Sequence, residues 1–147
     1  MISGVLLDTH TWVWLQNDQL DLRGDIKQVL QSALDNDVLF ACSISMLEIA
    51  NAIRRGRMSF DRGLPEWFAT SQQNPGVRLL DITPEIALDT MKLPANFHGD
   101  PGDRLITATA RVEDLTLLTH DRDLLRFSKQ GLMRTIKVSK KKELHDL

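Results

Sequence analysis

Cysteine occurs once in this sequence, a basic excess is missing, and no apolar run approaches the length of a membrane span. The single thiol, Cys42, excludes an internal disulfide. It sits in the apolar run Val38-Leu39-Phe40-Ala41-Cys42 and reads as a small buried hydrophobe of a reducing compartment. No cluster of cysteine and histidine has the spacing of a zinc site. The formal net charge of −2 excludes the strongly basic footprint of a general nucleic-acid binder. Any nucleic acid must therefore be held locally, and two patches offer themselves: Arg54-Arg55-Gly56-Arg57 with Arg62, and the tail 137–142, which reads as solvated surface. The stretch Met1-Ile2-Ser3-Gly4-Val5-Leu6-Leu7 lacks the basic start of a secretory signal and meets Asp8 before an apolar core can form. A cytoplasmic protein without membrane association is expected.

What the chain does have is the balance of a globular protein, with 147 residues of which 42% are hydrophobic and 26% charged. A chain of this length can bury roughly 68–70% of its unfolded surface, enough for a core without covalent staples. No repeat, low-complexity segment or linker divides it, so one domain over 1–147 is expected.

Five short apolar or β-branched runs have the length of buried strands: Val5-Leu6-Leu7, Val38-Leu39-Phe40-Ala41, Val77-Arg78-Leu79-Leu80, Leu115-Thr116-Leu117-Leu118 and Thr135-Ile136-Lys137-Val138. Between them, apolar residues recur at three-and-four spacing, as in Ile26, Val29, Leu30, Ala33 and Leu34, or Met46, Leu47, Ile49, Ala50 and Ile53, and again over 104–112. Shorter helices are expected over 65–72, 84–92 and 121–129. Strands alternating with helices predict an α/β fold, a central, mainly parallel sheet of about five strands flanked by helices.

Ligands of such sheets bind outside the carboxyl ends of the strands, near a switch in strand order. Asp8 directly follows the first strand, Glu48 lies early in the helix after the second, Asp100 and Asp103 open the helix over 104–112, and Asp121 and Asp123 follow the fourth strand. Each acid also has a structural explanation. Ser45-Met46-Leu47-Glu48 fits a capping box, and Asp8, Asp100 and Asp121 are well placed to cap helices, with Pro101 at a first helical position and Asp103 favoured by the dipole. Capping does not explain convergence, since two unit charges about 4 Å apart repel by roughly 4 kcal/mol at an effective dielectric of 20. A cation among them resolves the conflict, and oxygen donors alone favour Mg²⁺ or Mn²⁺.

Four motifs, Leu6-Leu7-Asp8-Thr9-His10, Ser45-Met46-Leu47-Glu48-Ile49-Ala50, His98-Gly99-Asp100-Pro101-Gly102-Asp103-Arg104-Leu105-Ile106-Thr107-Ala108-Thr109-Ala110 and Leu118-Thr119-His120-Asp121, stand in this order along the chain. Together they resemble the PIN-domain family, and more narrowly the VapC-type toxins of prokaryotic toxin–antitoxin pairs, over residues 6 to about 138. The resemblance implies a PIN-like fold and a metal-dependent endoribonuclease with Asp8, Glu48, Asp103 and Asp121 as catalytic metal-site acids. Thr119 would support them, and Asp100, Asp123 and Arg104 would stand close by. It implies Mg²⁺ or Mn²⁺ as cofactor, RNA as substrate, a homodimer, and a small antitoxin that blocks the acidic pocket. Gly102 departs from the pattern, since relatives usually carry a bulkier, often apolar residue there, and it is expected to loosen the start of its helix.

The reaction so implied is hydrolysis of a phosphodiester by water activated at the cation and attacking phosphorus in line, leaving a 3′-hydroxyl and a 5′-phosphate. Arg104 is expected to contact substrate phosphate, to pair with the acids, or to bridge to Asp100. His10, His98 and His120 read as turn or capping residues, because a cation makes a separate general base unnecessary. Trp12, Trp14 and Trp67 read as core or dimer-interface side chains, a reading that only an exposed ring would reopen.

Other readings compete. A phosphoacceptor receiver domain would want paired acids after the first strand, an aspartate phosphatase a second aspartate two residues beyond Asp8, and neither is present. An RNA-processing nuclease without a toxin role, or an inactive RNA-binding or scaffold domain on the same fold, stays open.

Overall fold

The structure, a computed structural model, describes residues 4–97 and 99–142, so His98 lies outside the described residues. Strand β1 is Val5–Leu7, β2 Leu39–Cys42, β3 Arg78–Leu80, β4 Thr116–Thr119 and β5 Arg134–Lys137. The helices are α1 Thr9–Gln16, α2 Ile26–Asp35, α3 Ser43–Arg54, α4 Leu64–Gln73, α5 Pro84–Asp89, α6 Pro101–Val112 and α7 Arg122–Lys129. The helix expected over 84–92 is α5 tightened into a 3-10 turn at Thr90–Lys92.

All strand pairings are parallel, in the order β3-β2-β1-β4-β5. The expected mainly parallel sheet is thus wholly parallel. Because β2 and β4 flank β1 on opposite sides, the chain reverses its direction of sheet growth there, and the carboxyl ends of β1 and β4 form the switch point.

The central strands β1, β2 and β4 are short and mostly buried because both faces of the sheet are covered there, whereas the edge strands β3 and β5 are more exposed. Leu7 turns to a core built with Trp12, Leu30, Ala33, Ile49 and Trp67 from α1 to α4. Leu6 turns the other way, to Ile106, Ala110, Leu124 and Phe127 of α6 and α7 with Leu93 and Phe97. Trp12 and Trp67 are fully buried and tilted against each other at 5.2 Å, their indole N–H groups donating to Ser71 and Asn17. Their expected core role holds. No helix among the described residues is long and apolar enough to cross a membrane.

Beyond β5 the chain is fastened back onto the loop after α1. The Asp21 amide donates to the Ser139 carbonyl at 2.8 Å, the Lys141 amide to the Gln19 carbonyl at 2.7 Å, and Leu20 pairs with Lys140 in an antiparallel bridge.

Candidate active site

A cavity of about 540 Å³ opens over the switch point, and Asp8, Glu48, Asp100, Asp103 and Asp121 all line it. The acids are delivered by the ends of β1 and β4, by the second turn of α3 and by the start of α6. Asp123 is not on its wall; its carboxylate pairs with Arg126 at 3.3 Å on the exposed side of α7. A larger hollow of about 860 Å³ lies by α6, β4 and β5, but its charged residues Asp89, Arg111, Asp114 and Arg134 are already matched in ion pairs.

Three of the acids do two things. Asp8 caps α1, accepting from the Thr11 amide at 3.0 Å with one oxygen, while the other accepts from the Thr119 hydroxyl at 2.5 Å. Asp100 caps α6 through the Asp103 amide at 2.8 Å, and Asp121 caps α7 through the amides of Asp123 and Leu124 at 2.8 and 3.0 Å. The capping readings of these residues are therefore correct, and they do not compete with the cavity, because a cap needs only part of a carboxylate. Thr119 is fully buried and links two of the acids, since its Oγ1 also accepts from the Asp121 amide at 3.0 Å.

Glu48 is a different case. The capping box expected of Ser45 and Glu48 does not form: β2 runs straight into α3, whose N-cap is Cys42, so Ser45 already lies inside the helix. The Glu48 carboxylate instead accepts from the Thr9 hydroxyl at 2.5 Å, and Ser45 stands 2.8 Å from the same hydroxyl. Thr9 and Ser45 thus belong to the site although neither is an acid, and the one signal in the sequence is that Thr9 adjoins Asp8 in the first motif. Glu48 is free of any backbone duty.

Gly102 explains how Glu48 fits. It is buried, and a Cβ built on it would lie only 2.7 Å from the Glu48 carboxyl carbon and 3.0 Å from Oε1. The carboxylate occupies the place of a side chain. Rather than loosening α6, Gly102 sits in a regular first turn with its cap made, so that expectation is corrected. Arg104 makes no ion pair with Asp100 or the other acids among the described residues. Its guanidinium donates to the Phe97 carbonyl at 2.8 Å and stacks over the Phe97 ring at 5.5 Å, away from the acids. His120 has a ring nitrogen 2.9 Å from the Val138 carbonyl, a structural tie of the kind expected, while exposed His10 lies on the cavity wall.

The gathered charge shows in the acids themselves. Burial, reinforced by Asp100, Asp121, Glu48 and Asp8, pushes the Asp103 carboxyl up to about 7. Burial also raises Glu48, with Asp100 and Asp8 adding to the rise and the Thr9 hydrogen bond opposing it. Cys42 lies beneath, pushed up to about 11 chiefly by burial, an inert thiol as expected. Of the lysines and arginines, Arg57 alone reaches the wall among the described residues.

Among the described residues no three acidic, histidine or cysteine groups close on one point as a finished ligand set. Mg²⁺ does not require one, because it is usually held by one or two carboxylates with waters completing its shell. Oxygen donors gathered at one cavity, with Asp103 and Glu48 raised by burial and then by the neighbouring carboxylates, fit such an ion.

Fold and cavity together define a parallel α/β protein with an acid-rich site at its switch point. Within that class the chain belongs to the PIN domain family, which it matches over residues 5–130. It is 34% identical over 123 residues to Ribonuclease VapC22 of Mycobacterium tuberculosis, covering 84% of this chain and 91% of that protein. Its fold is also that of a chain in the crystal structure of VapBC2 from Rickettsia felis bound to a DNA fragment from their promoter, with a TM-score of 0.67 at 14% identity over 92% of this chain and 99% of that one. DNA-bound VapBC from Salmonella typhimurium matches with a TM-score of 0.62 at 18% identity, covering 92% and 98%.

Proposed function

We propose that this protein is a divalent-cation-dependent endoribonuclease, the toxin of a toxin–antitoxin pair, with Asp8, Glu48, Asp103 and Asp121 as its working acids. One observation carries the reading: acids from four separate segments converge on a single cavity at the switch point. The ribonuclease similar to it over most of its length supplies the reaction class.

Mg²⁺ or Mn²⁺, when bound, would supply Lewis acidity at the phosphate and lower the pKa of water. Asp8, Glu48 and Asp103 would hold it, with Asp121 assisting or orienting water. Thr119 fixes Asp8 and the Asp121 backbone, and Thr9 fixes Glu48, so those acids are oriented before substrate arrives. With its carboxyl raised to about 7, Asp103 is only partly ionised at neutral pH, and a bound cation would favour its ionised form. No side-chain nucleophile is needed. A small antitoxin and a second copy of the chain are the partners in this reading, and exposed Leu47, Leu88 and Met91 give a protein partner apolar surface to cover.

The test is cleavage of structured and single-stranded RNAs in Mg²⁺ or Mn²⁺, with and without chelator, by wild type and Asp8→Asn. Asparagine keeps the α1 cap. Cation-dependent cleavage that disappears in the variant is the expected result, and equal cleavage by both proteins would refute the assignment.

A further inference from the structure

A second, smaller hollow of about 280 Å³ adjoins the acidic cavity, and His10, Trp14, Arg57 and Met58 line both. Its chemistry is opposite. No acid lines it, and its cation-forming residues are His10, Arg57 and Lys140. Arg57 and Lys140 belong to the two basic patches seen in the sequence, far apart along the chain. The bridge of Lys140 to Leu20 fastens the tail beside α1 and places Lys140, solvent-exposed as expected of the tail, on the wall of this hollow. Both are exposed, and neither side chain makes an ion pair or hydrogen bond among the described residues.

At the junction stands Trp14. It is half-buried, packs one side on the core, and lies 6.1 Å from the His10 ring and 5.7 Å from the His120 ring. Its exposed part faces both hollows, which reopens the reading of this tryptophan as purely core. An acidic cavity repels a polyanion everywhere except at its cation, so a strand leaving the scissile bond needs fixed positive charge immediately beyond. A base needs a ring to stack on. The hollow is smaller than the roughly 300–1,000 Å³ of pockets that enclose a whole ligand, which suits a chain passing through.

We propose that this hollow is a backbone subsite for single-stranded RNA, in which Arg57 and Lys140 hold phosphates of the strand that continues past Trp14 from the acidic cavity. The proposal rests on the ribonuclease reading for what lies in the cavity, but binding tests it without cleavage.

The experiment is fluorescence anisotropy of a labelled single-stranded RNA about twelve nucleotides long, within common site sizes, titrated with the full chain in Ca²⁺ over a range of salt concentrations. Arg57→Ala with Lys140→Ala should weaken binding about tenfold and reduce the slope of log affinity against log salt by about 1.4, some 0.7 for each phosphate no longer neutralised. Arg55→Ala with Lys142→Ala removes the same net charge outside the hollow and should leave the slope nearly unchanged. The proposal is overturned if wild type does not bind, if the first pair leaves affinity and slope intact, or if the second pair lowers them equally. Failure of the nuclease reading is distinguishable: RNA bound through Arg57 and Lys140 but left uncut in Mn²⁺ removes the activity and keeps the subsite.

Discussion

The least conspicuous residue of the site, Gly102, makes the sharpest statement about it. Glycine costs about 1 kcal/mol relative to alanine in a helix interior and less in a first turn, where Gly102 lies, and the conformation of α6 does not demand it. What demands it is the carboxylate of Glu48, resting where a methyl group would be. Gly102→Ala should therefore leave a folded protein whose melting temperature changes little, the gain in helix propensity offsetting the crowding. Its affinity for Mn²⁺ should fall about tenfold, at the lower end of what displacing support from a metal-site group costs. Calorimetric titration measures this, and unchanged affinity would show that the Glu48 carboxylate takes no part in holding the ion. The sequence disclosed that Gly102 was unusual but not why, because its neighbour in space is fifty-four residues away in the chain.

At the scale of elements, the switch point is held in place by how the helices grip the sheet and each other. Helix α5 is fixed to α6 by Asp89, which is buried and accepts from Arg111 at 2.8 Å, while Arg111 also donates to the Leu132 carbonyl at 2.9 Å. Removing Arg111 would leave a carboxylate with little water and no cation. Arg111→Ala is expected to cost about 3 kcal/mol in urea unfolding, whereas Asp89→Leu combined with Arg111→Met should come close to wild type. Equal destabilisation by both would mean that lost packing, not the stranded charge, sets the cost. Most elements were legible beforehand. The five apolar runs became the five strands, with no end shifted by more than one residue, and the three-and-four spacing located the long helices. The start of α3 was not legible, because Ser45 and Glu48 carry the pattern of a capping box in a helix that had already begun at Ser43. A cap is set by where the preceding strand stops, and β2 stops at Cys42.

For the whole molecule, gathering acids at one edge makes folding and proton binding a single problem. Asp103 is raised from 3.8 to about 7, so between those values the folded protein holds a proton that the unfolded chain has lost. Its contribution to stability is fully present below about pH 4 and is lost as pH rises through about 7. Metal-free protein should accordingly melt at falling temperature from about pH 4 to about pH 7, with the slope flattened by Asp103→Asn or by saturating Mn²⁺. Thermal melts in chelator and in Mn²⁺ check this, and an unaltered slope in the variant would assign the effect elsewhere. Charge counted along the chain could not reveal any of it: a net charge of −2 conceals both the acidic cavity and the basic hollow beside it, since Arg57 and Lys140 meet only through the closing bridge of the tail. The capping acids carry a last consequence, for descent. A relative that had abandoned catalysis would still be selected to start α1, α6 and α7, so positions 8, 100 and 121 would keep Asp, Asn, Ser or Thr. Position 48 lies beyond the first turn of its helix and would drift freely, while position 103, in the first turn of α6, would lose its acid more slowly because the helix dipole still favours it. The two groups of positions, compared among relatives, would separate those still under selection for chemistry from those kept only as folds.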